Sequence, residues 1–213
     1  MKKKLAGIIN ISISNVLSIK RSLEHIGFNV IIIDQYQNID KLDLLVLPGV
    51  GTFKEAMKKL NENNLLKLIE QAIQRNKKVL GLCLGMQILF EEGEEFGLTK
   101  GIGFFKGKVE NFNKYKVEAN TFIGWNNVRF NNKNKLLEKN TLVSNKSTNN
   151  LFYFVHSYFV KNANEDIEVA NSTNGEVVYS CIVKKDNVLA FQFHPEKSGE
   201  NGITLLKNGL INL

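Results

Sequence analysis

The chain has 213 residues, of which 43% are hydrophobic and 23% are charged, as in an ordinary globular protein. At this length a single domain over residues 1–213 can bury most of its apolar surface. No run approaches the roughly 18 consecutive apolar residues of a membrane-spanning helix, and the first apolar stretch is too short for a signal-peptide core. We therefore expect a globular protein with no membrane partner.

The formal net charge of +7 raises the question of nucleic-acid binding. The lysines, however, are scattered through helical and loop segments, without interleaved aromatic residues or a recognisable binding module. That distribution is typical of a solvated surface, although a phosphorylated substrate or an acidic partner could use it. We expect no nucleic-acid partner.

Only two cysteines occur, Cys83 and Cys181, and they lie far apart in unlike contexts. A structural disulfide is therefore not expected, and the reducing cytoplasm is the predicted compartment. The histidines and cysteines show no metal-ligand spacing, so the sequence predicts no metal site.

The first half of the chain alternates short apolar runs with helical patterns, which is typical of a parallel sheet covered by helices. The predicted strands are Leu5–Asn10, Asn29–Asp34, Asp43–Leu47 and Lys78–Leu82. Apolar residues at helical spacing predict helices over Val16–His25 and Phe53–Arg75, the second with a break near residues 61–64. A further helical run is predicted over Met86–Glu92.

The second half consists of short strand patterns separated by turns rich in asparagine and lysine. The predicted strands are Phe104–Phe112, Thr121–Phe130, Leu151–Val160, Glu168–Ser172, Glu176–Lys184 and Val188–Phe193. Residues 131–150 hold seven asparagines, so they are predicted to form a surface excursion. A closing helix is predicted from Gly199 to about Asn212. The expected fold is α/β, with a mostly parallel central sheet and an additional antiparallel section.

The segment Gly81–Gly85 has the pattern of a nucleophile elbow that carries a cysteine. It follows a predicted strand and precedes a predicted helix, so a sharp turn would lift Cys83 out of the edge of the sheet. The dipole of that helix would favour a thiolate, and its free N–H groups would face an oxyanion beside the sulfur. A buried structural cysteine in a glycine-containing turn is the alternative for this segment taken alone.

His194 and Glu196 supply the partners that such a nucleophile needs. They follow an apolar strand, and residues two apart in an extended chain point the same way. Glu196 can therefore accept a hydrogen bond from one imidazole nitrogen of His194 while the other nitrogen faces a thiol. Together with Cys83 they predict a Cys-His-Glu catalytic triad.

The loop Leu47–Gly51 ends another predicted strand and contains two glycines. Ligands of parallel α/β sheets bind at this edge, where backbone N–H groups of the loop and of Leu84 could form an oxyanion hole. A simple glycine-rich connection remains the alternative for this loop by itself.

These elements together resemble the class I (triad) glutamine amidotransferases, whose fold is flavodoxin-like. In particular they are similar to the glutaminase subunits of imidazole glycerol phosphate synthase, from histidine biosynthesis. The resemblance runs nearly end to end. It rests on LPGVGTFKEAM (47–57), GLCLGMQILFEEGEE (81–95), GWN (124–126), YFVHSY (153–158) and FHPEKSGENG (193–202).

The resemblance implies roles for further residues. Those implied to bind glutamine or stabilise the oxyanion are Gly49, Val50, Gly51, Leu84, Gln87, Glu95, Ser157 and Tyr158. Those implied to face a synthase partner are Trp125, Tyr153 and Lys197. Trp125 and Tyr153 could instead be core aromatic residues, and Lys197 could be an ordinary surface lysine.

The resemblance also implies a reaction and a partner. Cys83 attacks the side-chain amide of glutamine, His194 moves the proton to the departing ammonia, and water releases glutamate from a thioester. No metal or organic cofactor is needed. The ammonia passes to a synthase subunit of (β/α)₈-barrel type in a heterodimer, which makes imidazole glycerol phosphate and an aminoimidazole carboxamide ribotide.

Two segments depart from the family pattern. The family motif Asp-Tyr-Gly-x-Gly-Asn is replaced at residues 10–15, where only the final asparagine is kept, and Pro-His-Met before GWN is replaced at residues 120–123. In the family both segments lie near the partner, so a paralogue that feeds another synthase, such as one forming an amidino group on a surface-glycan sugar, is the alternative. A cysteine peptidase, a γ-glutamyl hydrolase and a non-catalytic binding module fit the motifs less well.

Overall fold

The computed structural model describes residues 3–11, 16–49, 51–131, 150–161 and 163–213. The first half forms β1 (Lys4–Ile9), α1 (Val16–His25), β2 (Phe28–Ile33), β3 (Leu44–Leu47), α2 (Phe53–Glu62), α3 (Leu65–Gln74) and β4 (Lys78–Leu82). The remaining elements are α4 (Leu84–Gln87), β5 (Phe90–Gly93), β6 (Thr99–Lys100), β7 (Phe105–Asn111), β8 (Phe122–Asn127), β9 (Arg129–Phe130), β10 (Leu151–His156), β11 (Tyr158–Val160), β12 (Glu168–Asn174), β13 (Val177–Lys185), β14 (Val188–Phe191) and α5 (Gly199–Ile211).

A large mixed sheet organises these elements. Its main path is β2-β1-β3-β4-β14-β13-β11-β7-β5-β6, with β12 and β9 attached beside β13. The five strands from β2 to β14 are parallel. From β14 onward, antiparallel pairs predominate. Strands β8 and β10 form a separate antiparallel pair. The prediction of an α/β fold with a mostly parallel centre and an antiparallel section is therefore confirmed.

The parallel strands are covered on both faces, which explains their continuous apolar sequences. Along β3, Leu45 and Leu47 belong to the cluster that includes side chains of α2 and α3. The alternate residues, Leu44 and Val46, belong to the cluster that includes side chains of α1 and α5. All four side chains are fully buried, so the carboxyl end of β3 is held rigidly beside that of β4.

The predicted long helix is interrupted at the expected place. Helix α2 begins after Thr52, whose side chain accepts the N–H of Glu55, and it ends at Glu62. Asn64 then adopts a left-handed conformation with φ of 56° before α3 begins. Asparagine tolerates that region better than most residues, so the asparagine-rich break separates two helices that pack on each other.

The predicted helix over Met86–Glu92 is wrong. The structure has only the four-residue α4 and then β5, which pairs in parallel with β7 through Phe90 and Phe105. A short apolar run suits a buried helix or a buried strand equally well, and here the pairing with β7 decides.

Smaller differences occur elsewhere. The strand patterns that begin at Thr121 and Leu151 are each divided in two, at Val128 and Ser157, and the short β6 was missed. Most of the predicted surface excursion, residues 132–149, lies outside the described residues. In the described part of the chain, no helix has the length and apolar character to cross a membrane.

Candidate active site

Cys83 lies on a strained turn between β4 and α4. Its φ of 50° and ψ of −106° are values that residues with a side chain rarely adopt. The turn is held on both sides: the Cys83 N–H donates to the Phe191 carbonyl at 2.7 Å, and its own carbonyl accepts from Met86 and Gln87. The strain is therefore imposed by β14 and α4, as expected of a nucleophile elbow.

Close backbone packing around this turn requires glycine. A Cβ atom at Gly85 would lie 2.0 Å from the Leu47 carbonyl oxygen, and one at Gly49 would lie 1.8 Å from the Leu82 carbonyl oxygen. One at Gly81 would lie 2.8 Å from the Gly85 oxygen. The loop after β3 and the elbow after β4 are thus in direct backbone contact.

The brevity of α4 changes one expectation. A macrodipole is the sum over many aligned peptide units, so a four-residue helix contributes little to stabilising a thiolate. Side chains close to Cys83 have to supply that stabilisation.

His194 is the first of these side chains. Its Nδ1 lies 2.9 Å from Oε1 of Glu196, and its ring is close enough to the Cys83 side chain to interact with it electrostatically. The contact with Glu196 arises in a short 3₁₀ turn over Pro195–Lys197, instead of along an extended chain as expected. The His194 side chain is 5% exposed and the Glu196 side chain 1%, so both groups are shielded from water.

The surroundings favour a charged His194. Burial alone would lower the pKa of this imidazole, but the nearby Cys83 and Glu196 outweigh it and raise the pKa to about 10. The raised pKa favours the imidazolium form of His194, which carries a proton that it can donate.

Strand β10 contacts both members of this pair. The Tyr153 carbonyl accepts the backbone N–H of His194 at 2.9 Å. Two residues further on, the Val155 carbonyl lies 3.7 Å from Cys83 Sγ, in reach of the protonated thiol. One strand therefore holds the backbone of His194 and touches the side chain of Cys83.

A cavity of about 310 Å³ opens beside Cys83. Ten residues singled out from the sequence line it: Gly49, Gly51, Cys83, Leu84, Gln87, Glu95, Ser157, Tyr158, His194 and Lys197. Glu196 lies behind His194, and Val50 lies outside the described residues, so the peptide orientation in the Gly49–Gly51 loop stays a prediction.

The predicted substrate residues differ in what they already bind. Gln87 is buried and donates through Nε2 to the Tyr158 carbonyl at 2.8 Å. Glu95 accepts the backbone N–H of Phe53 at 2.7 Å. Burial raises the pKa of the Glu95 carboxyl, and the bond from Phe53 only partly offsets this. Ser157 Oγ lies 2.8 Å from the Thr121 hydroxyl. Their contacts with glutamine stay predictions.

The two aromatic residues predicted to face a partner lie apart from the cavity. Trp125 and Tyr153 are opposite each other in the β8–β10 pair, with ring centroids 6.0 Å apart. Trp125 is 54% exposed, and its neighbour Ile123 is 65% exposed. The interpretation of Trp125 as a core aromatic residue is therefore wrong. Together with Ile123 and the paired Tyr153, Trp125 forms an apolar patch on the β8–β10 pair, called the exposed face below.

Two residues of the site were missed from the sequence. Gln192, which is fully buried, donates through Nε2 to Cys83 Sγ at 3.6 Å, and His156 lines the cavity. The available signal was a polar residue inside each of two mostly apolar strand patterns, since buried polar side chains need a specific partner.

Comparison with known proteins agrees with this geometry. The family described as "Glutamine amidotransferase class-I" matches residues 7–213. The chain is 40% identical to the imidazole glycerol phosphate synthase subunit HisH of Geobacillus sp. (strain WCH70), over 96% of this chain and 95% of that protein. It is also 40% identical to the subunit of that name from Aquifex aeolicus (strain VF5), over 94% and 93%.

Among solved structures, that of PurLQS from Thermotoga maritima superimposes with a TM-score of 0.73 at 18% identity, covering 99% of both chains. At this identity the likeness speaks for the fold alone. The sequence match over nearly the whole length goes further: the chain belongs to the class I glutamine amidotransferase family.

Proposed function

We propose that this chain hydrolyses glutamine to glutamate and ammonia, as the glutaminase subunit of imidazole glycerol phosphate synthase in histidine biosynthesis. The proposal rests above all on one observation: a strained Cys83 lies against a buried His194–Glu196 pair at the edge of a cavity. Relatives of that name cover nearly the whole chain at about 40% identity. The chain acts as one glutamine amidotransferase type 1 domain over residues 1–213.

The first half of the reaction forms a thioester. The Cys83 thiolate adds to the side-chain amide carbon of glutamine, and the carbonyl electrons move onto oxygen. When the tetrahedral intermediate collapses, the C–N bond breaks, and His194 donates its proton to the departing nitrogen. Ammonia leaves, and His194 is then neutral.

The second half consumes a water molecule. Neutral His194 takes a proton from water, whose oxygen adds to the thioester carbon, and the C–S bond breaks to return the thiolate. Glu196 stabilises the imidazolium at each stage through the 2.9 Å contact with Nδ1. None of these steps needs a metal or an organic cofactor.

Backbone groups at the cavity stabilise the oxyanion. The N–H of Leu84, directly after the nucleophile, and an N–H of the Gly49–Gly51 loop are the proposed donors. Gly51 lies in this loop with φ of 117°, a region open to glycine, which makes rotation of the neighbouring peptide inexpensive. Gln87, Glu95, Ser157 and Tyr158 bind the remainder of the substrate.

The ammonia passes to a synthase subunit in a heterodimer. A (β/α)₈ barrel is the proposed form of that subunit, and the exposed face with Trp125 and Tyr153, together with Lys197 at the cavity, is the proposed docking side. Release of free ammonia into water would waste it, so a sheltered transfer is expected. The cytoplasm is the proposed location, consistent with two buried free thiols.

The test combines the chain with the histidine-pathway synthase subunit and its ribotide substrate. Glutamate release should be faster with both present than with the chain alone, and the two proteins should co-purify. A γ-glutamyl peptide serves as control and should not be hydrolysed. Glutaminase activity without any response to this partner would contradict the histidine assignment and favour another synthase.

A further inference from the structure

The buried side chains of Gln87 and Gln192 connect the Tyr158 carbonyl to Cys83 through a series of hydrogen bonds. The Gln87 Nε2 group donates to the Tyr158 carbonyl at 2.8 Å and to Gln192 Oε1 at 3.1 Å. Gln192 Nε2 donates in turn to Cys83 Sγ at 3.6 Å, within the range for a hydrogen bond to sulfur.

The donor and acceptor at each step of this hydrogen-bonded series follow from the Tyr158 carbonyl at one end. A backbone carbonyl can only accept, so Gln87 must present its NH₂ group to Tyr158. The second hydrogen of that group then requires the oxygen of Gln192, which leaves the NH₂ group of Gln192 for the sulfur. Reversing either amide would set two donors or two acceptors against each other in a buried place.

His156 also binds the Tyr158 carbonyl that accepts from Gln87. Its Nδ1 lies 2.9 Å from the same Tyr158 carbonyl, so Nδ1 must carry the hydrogen. Burial lowers the pKa of this imidazole to about 4, and the ring is therefore neutral at physiological pH. The Tyr158 carbonyl thus accepts two hydrogen bonds, which holds the direction of the amides more firmly.

The sheet brings Gln192 to the nucleophile. Strands β4 and β14 are parallel, with Leu82 opposite Phe191, so the next residues, Cys83 and Gln192, are also adjacent. The Gln192 N–H donates to the Cys181 carbonyl at 2.9 Å, which fixes its backbone. The position is therefore set by the register of the core and not by a mobile loop.

The contacts of Cys83 Sγ have opposite effects on the ionisation of the thiol. The Val155 carbonyl can accept from a thiol but repels a thiolate. Among the described side chains, Gln192 donates a hydrogen bond to Sγ, and His194 is the nearby group whose charge interacts with the sulfur. A donor in a buried place favours the charged sulfur, and hydrogen bonds to charged groups are the stronger ones.

We propose that Gln192 is a further catalytic residue, whose Nε2–H group stabilises the Cys83 thiolate while Gln87 and Tyr158 hold it in the donating orientation. This role deepens the proposed function and rests on it only in taking Cys83 as the nucleophile. When the sulfur becomes part of the thioester, its charge is lost and the hydrogen bond weakens, so the contact favours the attacking form.

The test measures alkylation of Cys83 by iodoacetamide against pH, without glutamine. Peptide mass spectrometry separates Cys83 from the buried Cys181. In Gln192→Met, which keeps the length and removes the donor, the midpoint of the alkylation profile should rise by about one pH unit. In Gln192→Glu, whose carboxylate would repel the thiolate, it should rise further.

The control is Ser180→Ala on β13. Ser180 is fully buried and accepts the Ala163 N–H, and no hydrogen bond of its side chain involves Cys83, so its loss should destabilise the fold without moving the midpoint. The titrating pair is Cys83 and His194; Glu95, His156 and Lys197 also line the cavity and are the same in all variants. A folded Gln192 variant with the wild-type midpoint would overturn the proposal.

A second measurement needs no change at Gln192. In the wild-type protein the side-chain amide protons of Gln192 should shift downfield in the NMR spectrum as the thiolate forms, and Cys83→Ala should abolish this response. An unchanged amide signal across the wild-type titration would also overturn the proposal. Because neither measurement uses glutamine, each can fail or succeed independently of the glutaminase assignment.

Discussion

The elbow at Cys83 and the exposed face at Trp125 are built in opposite ways. The elbow follows β4, in which Val79 to Leu82 are buried, and it is locked by backbone contacts too close for any side chain. The face lies on β8, where exposed residues alternate with half-buried ones. The fold tolerates almost no change in the first region, whereas side chains of the second can vary without loss of the fold as long as its backbone pairing with β10 is kept.

The largest expected effect is that of Cys83→Ser, which should abolish catalysis but leave binding of the partner intact. Cys83→Ser replaces the thiolate by a hydroxyl that His194 cannot ionise to a comparable extent, so glutamine hydrolysis should fall by at least about 10³-fold. Binding of the synthase subunit, measured by calorimetry, should be unchanged, because Cys83 is 6% exposed. A serine variant that keeps its glutaminase activity would remove Cys83 from the mechanism.

Next in size is a change that tests the rigidity of the elbow. In Gly85→Ala the new Cβ would lie 2.0 Å from the Leu47 oxygen, so the free energy of unfolding should fall by about 3 kcal/mol. Gly97→Ala is the matched control, since no atom lies within 4 Å of its Cβ and only the strain of a positive φ remains. It should cost about 1 kcal/mol. Denaturant unfolding measures both, and equal losses would contradict the close packing.

Trp125→Ala tests the opposite region. Half-exposed and away from the cavity, its ring should contribute little to folding, but its loss should weaken association with the synthase subunit by about 2 kcal/mol. Leu98→Ala is the control, because Leu98 is 66% exposed and does not belong to the β8–β10 face. If both variants bind equally well, the docking side lies elsewhere.

The smallest effect concerns pH. The folded pKa of His194, about 10, exceeds its ordinary value of 6.5. The protonated ring therefore stabilises the fold fully below about pH 6.5, and this contribution is lost as the pH rises toward 10. Between pH 6.5 and 10, unfolding free energy should decline more in the wild type than in His194→Asn, by at least about 1 kcal/mol. Parallel declines in thermal melts would contradict the raised pKa.

Local sequence predicts the parts of the molecule that depend on local chemistry. Lys78–Leu82 and Val16–His25 were predicted with the bounds that the structure has, because a continuous apolar run and a helical period identify them. The helix over Met86–Glu92 failed because β5 exists only through its pairing with β7. Periodicity within seven residues carries no information about a strand that arrives later in the chain.

The site residues, too, differ in whether local sequence predicts them. Cys83, His194 and Glu196 stand in recognisable local patterns, and the structure brings them together. Gln192 stands two residues before His194, yet its contact with sulfur depends on the register between β4 and β14. That register is a property of two strands separated by more than a hundred residues, so no pattern within one of them predicts the contact.

Strand β10 has one more consequence. The Tyr153 carbonyl holds the backbone of His194, and the Val155 carbonyl touches Cys83 Sγ. Two alternate carbonyls of one strand are about 6.7 Å apart, so β10 fixes the spacing between the His194 backbone and the Cys83 side chain. Because Tyr153 is paired with Trp125 on β8, the strand that makes these two contacts also carries a side chain of the exposed face.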